Sequence, residues 1–168
     1  CPMALDLTQD RRRYVLIEIK AFDTRSLDVA CDYSSGDGAA ITFFASFWPR
    51  MSLEEGFAGS AAAIRQRFPV AGALPVAVAS LEATEGDPVL GEIESVAASG
   101  FDIGEVNGAP YKTSLWLTKT LGWHVKARAT YAQDDMSTEL LSAIMFAFSH
   151  ANVRAKNLTK PVTEGGEV

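Results

Sequence analysis

A strict alternation of side-chain polarity over residues 123–131 constrains the fold more than any other feature of this chain. Apolar residues occupy every odd position of that segment and polar residues every even position. A two-residue period is that of a strand with one face against a core and the other in water. The even row gathers His124, Lys126 and Arg128, so the sequence predicts a half-buried strand with a cationic, solvated face.

Other segments alternate in the same way and are separated by short turns. Asn107-Gly108 is a strong hairpin signal, because both residues tolerate the positive φ that a tight turn needs. Turns this short cannot connect parallel strands, so the sheet is predicted to be mainly antiparallel with about six strands. The predicted strands are 14–22, 27–33, 39–48, 75–83, 111–118 and 123–131, with further extended structure in part of 92–105.

Two segments have the spacing of amphipathic helices. The first begins at Ser52, with Glu55 completing a capping box, and Pro69 stops it. We expect it to cover Phe44 and Trp48, which lie on the second face of an otherwise apolar strand. The second begins near residues 134–137, and its predicted apolar face is Leu140, Ile144, Ala147, Phe148 and Ala151. The predicted fold class is therefore α+β, with a mainly antiparallel sheet flanked by two principal helices.

Length and charge restrict the classes of partner. A chain of 168 residues is most simply a single domain, 1–168, with an ordered core of about 12–155 and with 1–11 and 156–168 expected to be flexible. The net charge is −6, and the only basic run is 11–13, which argues against a nucleic-acid partner. The longest uncharged stretch, 68–81, has 14 residues and two prolines, so no transmembrane segment is predicted.

No catalytic, metal or cofactor motif is present. The chain has two histidines and no HExxH, HxH or CxxC spacing, so no metal site is predicted. It also lacks the GxSxG nucleophile elbow, the phosphate-binding P-loop and the dinucleotide GxGxxG pattern. We therefore predict no catalytic residue and no cofactor.

One constellation remains, on the polar rows of two predicted strands. Glu18 and Lys20 share one row, and His124, Lys126 and Arg128 share the other. If the two strands are neighbours, these side chains form a mixed-charge patch that could bind a small anionic ligand or a partner protein. The alternative is an ordinary solvated sheet face.

The two cysteines suggest different roles. Cys31 lies in an apolar row, where a buried and unreactive thiol is expected. A chain beginning at Cys1 resembles a processed bacterial lipoprotein, which implies lipid attachment at Cys1 and a periplasmic or membrane-anchored location rather than a cytoplasmic one. A Cys1–Cys31 disulfide in an oxidising compartment is an open alternative.

The order of elements resembles the Mog1/PsbP-like α/β/α sandwich over about 14–153. The matching elements are the strand pair Tyr111–Thr118 and Trp123–Tyr131 followed by the helix Met136–His150. The resemblance implies an antiparallel sheet between helices and a non-enzymatic binding or assembly factor, often extracytoplasmic in bacteria. It rests on element order, so no functional residue is carried over.

Three functions follow from these observations. The first is a non-catalytic binding or protein-interaction module, at a bacterial cell envelope. The second is a small enzyme whose site is assembled from scattered polar residues on the sheet face, such as His124, Arg128 and Glu18. The third is a homo-oligomeric structural protein with Phe44, Trp48 and Trp116 as interface anchors.

Overall fold

One antiparallel sheet with two helices makes up the described part of the chain. The computed structural model describes residues 4–7, 12–25, 27–69, 72–77 and 95–158. The sheet has eight strands, and the predicted α+β class is confirmed. The strand count is above six because β1 adds an edge and the ambiguous stretch before the hairpin forms β6. The elements are β1 Ala4–Leu7, β2 Arg12–Ala21, β3 Asp28–Ser34, β4 Ala40–Phe47, α1 Leu53–Arg67, β5 Ala73–Leu74, β6 Ala97–Val106, β7 Ala109–Thr120, β8 Trp123–Ala132 and α2 Met136–Leu158.

The sheet is two meanders joined at its centre. Its strand order is β1-β2-β3-β4-β8-β7-β6-β5, and every neighbouring pair is antiparallel. Within each meander the neighbours are consecutive in sequence, whereas β8 pairs with β4 across the junction. The alternating strand at residues 123–131 is therefore a central strand with a partner on each side.

Two tight turns set the register of the second meander. Asn107 and Gly108 have φ values of 52° and 80°, so the predicted hairpin between β6 and β7 is confirmed. Leu121 and Gly122, with φ values of 49° and 82°, connect β7 to β8 in the same way. A leucine in this conformation is uncommon, because its Cβ is crowded by the backbone.

The helices cover opposite faces of the sheet. We call the face that carries Phe101 and Leu115 the α1 face, because both side chains pack against α1. The other face carries Trp116 and Val125 and packs against α2, so we call it the α2 face. Successive residues of β8 point to opposite faces, so one row of its side chains lies on the α1 face and the other lies on the α2 face.

The capping box of α1 forms as predicted, but the helix packs elsewhere. The Ser52 hydroxyl accepts a hydrogen bond from the Glu55 N–H at 3.1 Å, and the Glu55 carboxylate accepts one from the Ser52 N–H at 2.8 Å. The helix lies over β6 and β7, and Trp48 is 42% exposed. The expectation that α1 covers Phe44 and Trp48 is wrong for Trp48, because a cap sets where a helix begins and not which strands it covers.

Helix α2 is rotated relative to its predicted apolar face. Asp135 caps it by accepting the Thr138 N–H at 3.0 Å. Leu140 and Phe148, both predicted to be buried, are 52% and 44% exposed. Glu139 is buried in their place, because charged and hydroxyl groups on β7 and β8 give it partners.

Three further segments differ from the predicted boundaries. Of the strand predicted over 75–83, residues 75–77 do not form a strand, and residues 78–83 lie outside the described residues. Strand β5, which comes just before them, is only two residues long. Extended structure within 92–105 is present as β6. Residues 4–7 of the expected lead-in pair with β2, and α2 continues to residue 158.

Candidate functional site

His124 does not lie on a solvated face. It is 2% exposed, beneath the start of α1, and its Nε2–H donates to the Ser52 carbonyl at 3.2 Å. Its Nδ1 has no hydrogen-bond partner in the described part of the chain. Burial lowers the pKa of His124, the bond to Ser52 opposes this, and the charges of Lys119 and Lys126 lower it further. The ring is therefore neutral and supports α1, and the prediction of an exposed binding histidine is wrong.

Lys126 and Arg128 lie on the same face as His124 but reach a partly open part of it. Both are half-buried. The Lys126 ammonium lies 4.0 Å from the centre of the Phe44 ring and 3.5 Å from the Ser60 hydroxyl. Arg128 lies across from Thr42 on β4. Among the described residues, neither cation has a carboxylate within 4.0 Å.

Glu18 and Lys20 are not part of the same cluster. They lie on β2, and two strands, β3 and β4, separate them from β8. At about 4.8 Å per strand this is a lateral separation of about 14 Å. Lys20 instead pairs with Glu18 at 3.1 Å and with Asp32 at 2.7 Å. The prediction of a single mixed-charge patch is therefore wrong. The hypothesis of an enzyme site that combines Glu18 with His124 and Arg128 is wrong for the same reason.

An apolar cleft lies on the opposite face, and no pattern in the sequence indicates it. It has a volume of about 460 Å³ and opens between the second half of α2 and strands β3 and β4; we call it the α2 cleft. Its polar side chains are few. It is lined by Val29, Cys31, Tyr33, Phe43, Phe44, Ala45, Val125, Met145, Phe148, Ser149, Asn152 and Val153.

Phe148, at the rim of the α2 cleft, shows why helical periodicity wrongly predicts a core position there. Phe148 lines the cleft while 44% exposed, so an apolar residue of α2 faces a gap rather than the core. The Ser149 hydroxyl donates to the Met145 carbonyl at 2.8 Å.

Cys31 is half-buried and carries no free thiol, which corrects the expected buried thiol. Cys1, the predicted lipid-attachment residue, lies outside the described residues.

A buried ion pair joins β7 to α2, and no residue spacing in the sequence indicates it. Lys112 on β7 and Glu139 on α2 form a salt bridge although they are only 7% and 2% exposed. The Glu139 carboxylate also accepts the Tyr131 hydroxyl at 3.0 Å and the Ala77 N–H. Burial would raise the pKa of Glu139, but these three bonds outweigh it and lower that pKa. Burial also raises the pKa of Tyr131.

This network supports the fold rather than a reaction. Each charged or hydroxyl group in it has a partner, since Tyr131 also bonds the Ser114 hydroxyl at 2.6 Å. None of these residues lines the α2 cleft. The buried pair links α2 to β7.

The anchors predicted for an oligomer interface are only partly accessible. Trp116 is fully buried, and its indole N–H donates to the Ala77 carbonyl at 2.8 Å. It cannot contact another copy in this fold, so that assignment is wrong. Phe44 is half-buried beneath the Lys126 ammonium, which leaves Trp48 as the exposed aromatic residue of the three.

A second, polar cleft of about 450 Å³ lies at the start of α2. Its lining includes Asp37, Asp134 and Asp135. In the described ranges, no three His, Cys, Asp or Glu side chains are grouped closely enough to hold a metal ion.

Comparison with known proteins assigns no family to this chain. No family model matches the chain, and no curated protein matches it. The Mog1/PsbP-like resemblance stays a prediction that rests on element order. Of the two helices described, neither combines the length and the apolar character needed to cross a bilayer.

Proposed function

We propose that this protein is a non-catalytic binding module that holds a small apolar ligand in the α2 cleft. The observation that carries the proposal is the cleft itself, about 460 Å³ in volume and lined mainly by aliphatic, aromatic and methionine side chains. Small-molecule sites usually occupy about 300–1,000 Å³ and are mostly apolar with a few polar groups. The hydroxyl of Ser149 and the amide of Asn152 supply such groups here.

The chemistry of the lining supports binding rather than catalysis. Tyr33 is the lining residue with a titratable hydroxyl, and burial raises its pKa, so it stays protonated at neutral pH. The Ser149 hydroxyl is bonded to a carbonyl of its own helix, and no histidine lines the cleft to activate it. A bacterial envelope location is not required for this function and stays a prediction.

The binding experiment uses N-phenyl-1-naphthylamine, an uncharged dye whose fluorescence rises in apolar surroundings. We expect saturable binding to the wild-type protein. Ala45→Phe places a ring in the cleft and should abolish binding, because Ala45 lines it. Ala62→Phe is the matched control, since Ala62 is exposed on α1, and it should bind as the wild type does. No binding by the wild type, or equal binding by both variants, contradicts the proposal.

A second pair of variants separates loss of the cleft from loss of the fold. Phe148→Glu puts a charge at the rim, at a position already 44% exposed, and should weaken dye binding. Leu140→Glu changes a similarly exposed residue, 52% exposed, on the same helix and should leave binding unchanged. If Phe148→Glu folds cooperatively and binds the dye normally, the cleft is not the site.

A further inference from the structure

Lys126 and Arg128 form a second candidate site, on the face opposite the α2 cleft. The two residues are two positions apart on β8, so their Cα atoms are about 7 Å apart on one face. The Lys126 ammonium lies 4.0 Å above the Phe44 ring, and the Ser60 hydroxyl lies 3.5 Å from it. The strand and α1 thus hold two half-buried cations side by side.

The carboxylates whose charges act on these cations already have other partners. Asp32, whose charge acts on Arg128, is bonded to Lys20 at 2.7 Å. Asp28, whose charge acts on Lys126, accepts the Ser46 hydroxyl at 2.6 Å. Neither forms a salt bridge with the β8 cations in the described part of the chain.

Positive charges act on both members of the pair, although the whole protein is acidic. Burial lowers the pKa of Lys126, and the charge of Arg128 adds to this effect. Burial likewise lowers the pKa of Arg128, and the charge of Arg67 at the end of α1 adds to it. A guanidinium keeps its proton in proteins, so the repulsion is not relieved by proton loss from Arg128.

We propose that Lys126 and Arg128 bind a phosphate group, with Arg67 adding a third positive charge beside them. An anion here would replace the water lost on burial with charge-assisted hydrogen bonds, which are about twice as strong as neutral ones. A group with more than one negative charge suits three cations better than a single carboxylate does. The guanidinium fork of Arg128 can also contact two oxygens of a phosphate at once.

The test measures thermal unfolding and isothermal titration with inorganic phosphate, against chloride and acetate at equal ionic strength. Phosphate should raise the melting temperature of the wild type in a saturable way, because a ligand of the native state stabilises it by mass action. Lys126→Gln and Arg128→Gln should each weaken phosphate binding by about tenfold or more, as loss of about 1.4 kcal/mol would. Arg25→Gln is the control, since the Arg25 side chain is 79% exposed and distant in sequence from the pair.

The variants also exclude a general salt effect. Phosphate stabilises many proteins by exclusion from their surface, and that effect would be the same in wild type and variants. Equal stabilisation of all four proteins therefore overturns the proposal, as does equal stabilisation by acetate. Lys126→Arg keeps the charge and should retain binding, which guards against a variant that merely misfolds.

A lipid headgroup and free phosphate offer the same chemistry, so a second arm tells them apart. Phosphatidylcholine vesicles with and without phosphatidic acid are incubated with each protein and sedimented. Sedimentation that needs phosphatidic acid, Lys126 and Arg128 identifies a lipid source, and binding of inorganic phosphate alone identifies a free ligand. A wild type that binds neither contradicts the proposal. The dye experiment on the α2 cleft is independent of either result, because that probe is uncharged.

Discussion

The buried pair of Lys112 and Glu139 provides the most demanding test of the structure. Lys112→Met removes the ammonium but keeps a side chain of similar length. The Glu139 carboxylate, 2% exposed, would then keep the Tyr131 hydroxyl at 3.0 Å and the Ala77 N–H but lose its counter-charge. A buried carboxylate without a cation is strongly destabilising, because desolvation is no longer offset by the ion pair.

The expected cost follows from the remaining contacts. Breaking a buried pair by removing one partner typically costs about 3–5 kcal/mol. Since two hydrogen bonds to Glu139 survive, we expect a value near the lower end, about 3 kcal/mol. For a domain of this size, that loss lowers the melting temperature by about 6–12 °C.

A double-mutant cycle separates the ion pair from general packing. Glu139→Gln alone leaves a buried ammonium beside a neutral amide and should also destabilise the protein. Lys112→Met combined with Glu139→Gln removes both charges, and the amide oxygen can still accept from Tyr131. The double variant should therefore lose about 1–3 kcal/mol less than the sum of the single variants.

Urea denaturation at pH 7 measures these differences, with Lys20→Met as the control. The Lys20 side chain is 42% exposed, so breaking its surface pairs should leave the denaturation midpoint nearly unchanged. A Lys112→Met cost below about 1 kcal/mol, or additive effects in the cycle, would refute a buried ion pair.

The same pair predicts an acid dependence with a definite sign. The pKa of Glu139 is lowered in the folded protein, so the unfolded chain binds a proton first as pH falls below about 4.3. Stability supported by Glu139 is therefore present above that pH and lost below it. In Lys112→Met this contribution should shrink, and the free energy of unfolding should fall less steeply between about pH 5 and pH 3.

Three further predictions concern local structure. The folded pKa of His124 is lowered, so the free energy of unfolding should fall as pH drops below about 6.5, and His124→Gln should reduce that slope in pH-dependent denaturation. Ser52→Ala should cost about 1 kcal/mol in thermal unfolding by removing the cap of α1; no change would exclude the capping box. Gly122→Ala should cost about 1–2 kcal/mol, because φ is 82° and a Cβ would lie 2.8 Å from the Phe47 ring. Gly59→Ala, in open space on α1, should instead stabilise the protein.

Local features of the fold were predictable because local interactions decide them. The turn at Asn107-Gly108 needs only two residues that tolerate positive φ, and the cap at Ser52 needs only Glu55 three residues later. The period of residues 123–131 likewise requires an extended strand. These elements form where the sequence placed them, and short connections made the antiparallel class predictable.

The candidate sites were less predictable, because they join residues that are distant in sequence. Lys112 and Glu139 meet only once α2 has packed on β7, and no spacing in the chain relates them. The α2 cleft arises where α2 leaves part of β3 and β4 uncovered, so Phe148 faces a gap that helical periodicity cannot distinguish from core. The prediction that Glu18 lies beside the β8 residues is wrong because alternation within a strand carries no information on strand order.

The sequence by itself determined that residues 123–131 form a strand with two chemically different rows. It could not determine which row meets water, because exposure depends on what other elements lie over each face. The placement of α1 across β6 and β7 buries His124 and leaves Lys126 and Arg128 half-covered. Alternation is a local property of the backbone, whereas desolvation of a side chain is a property of the assembled layers. That difference makes a row of ordinary polar residues a candidate anion site.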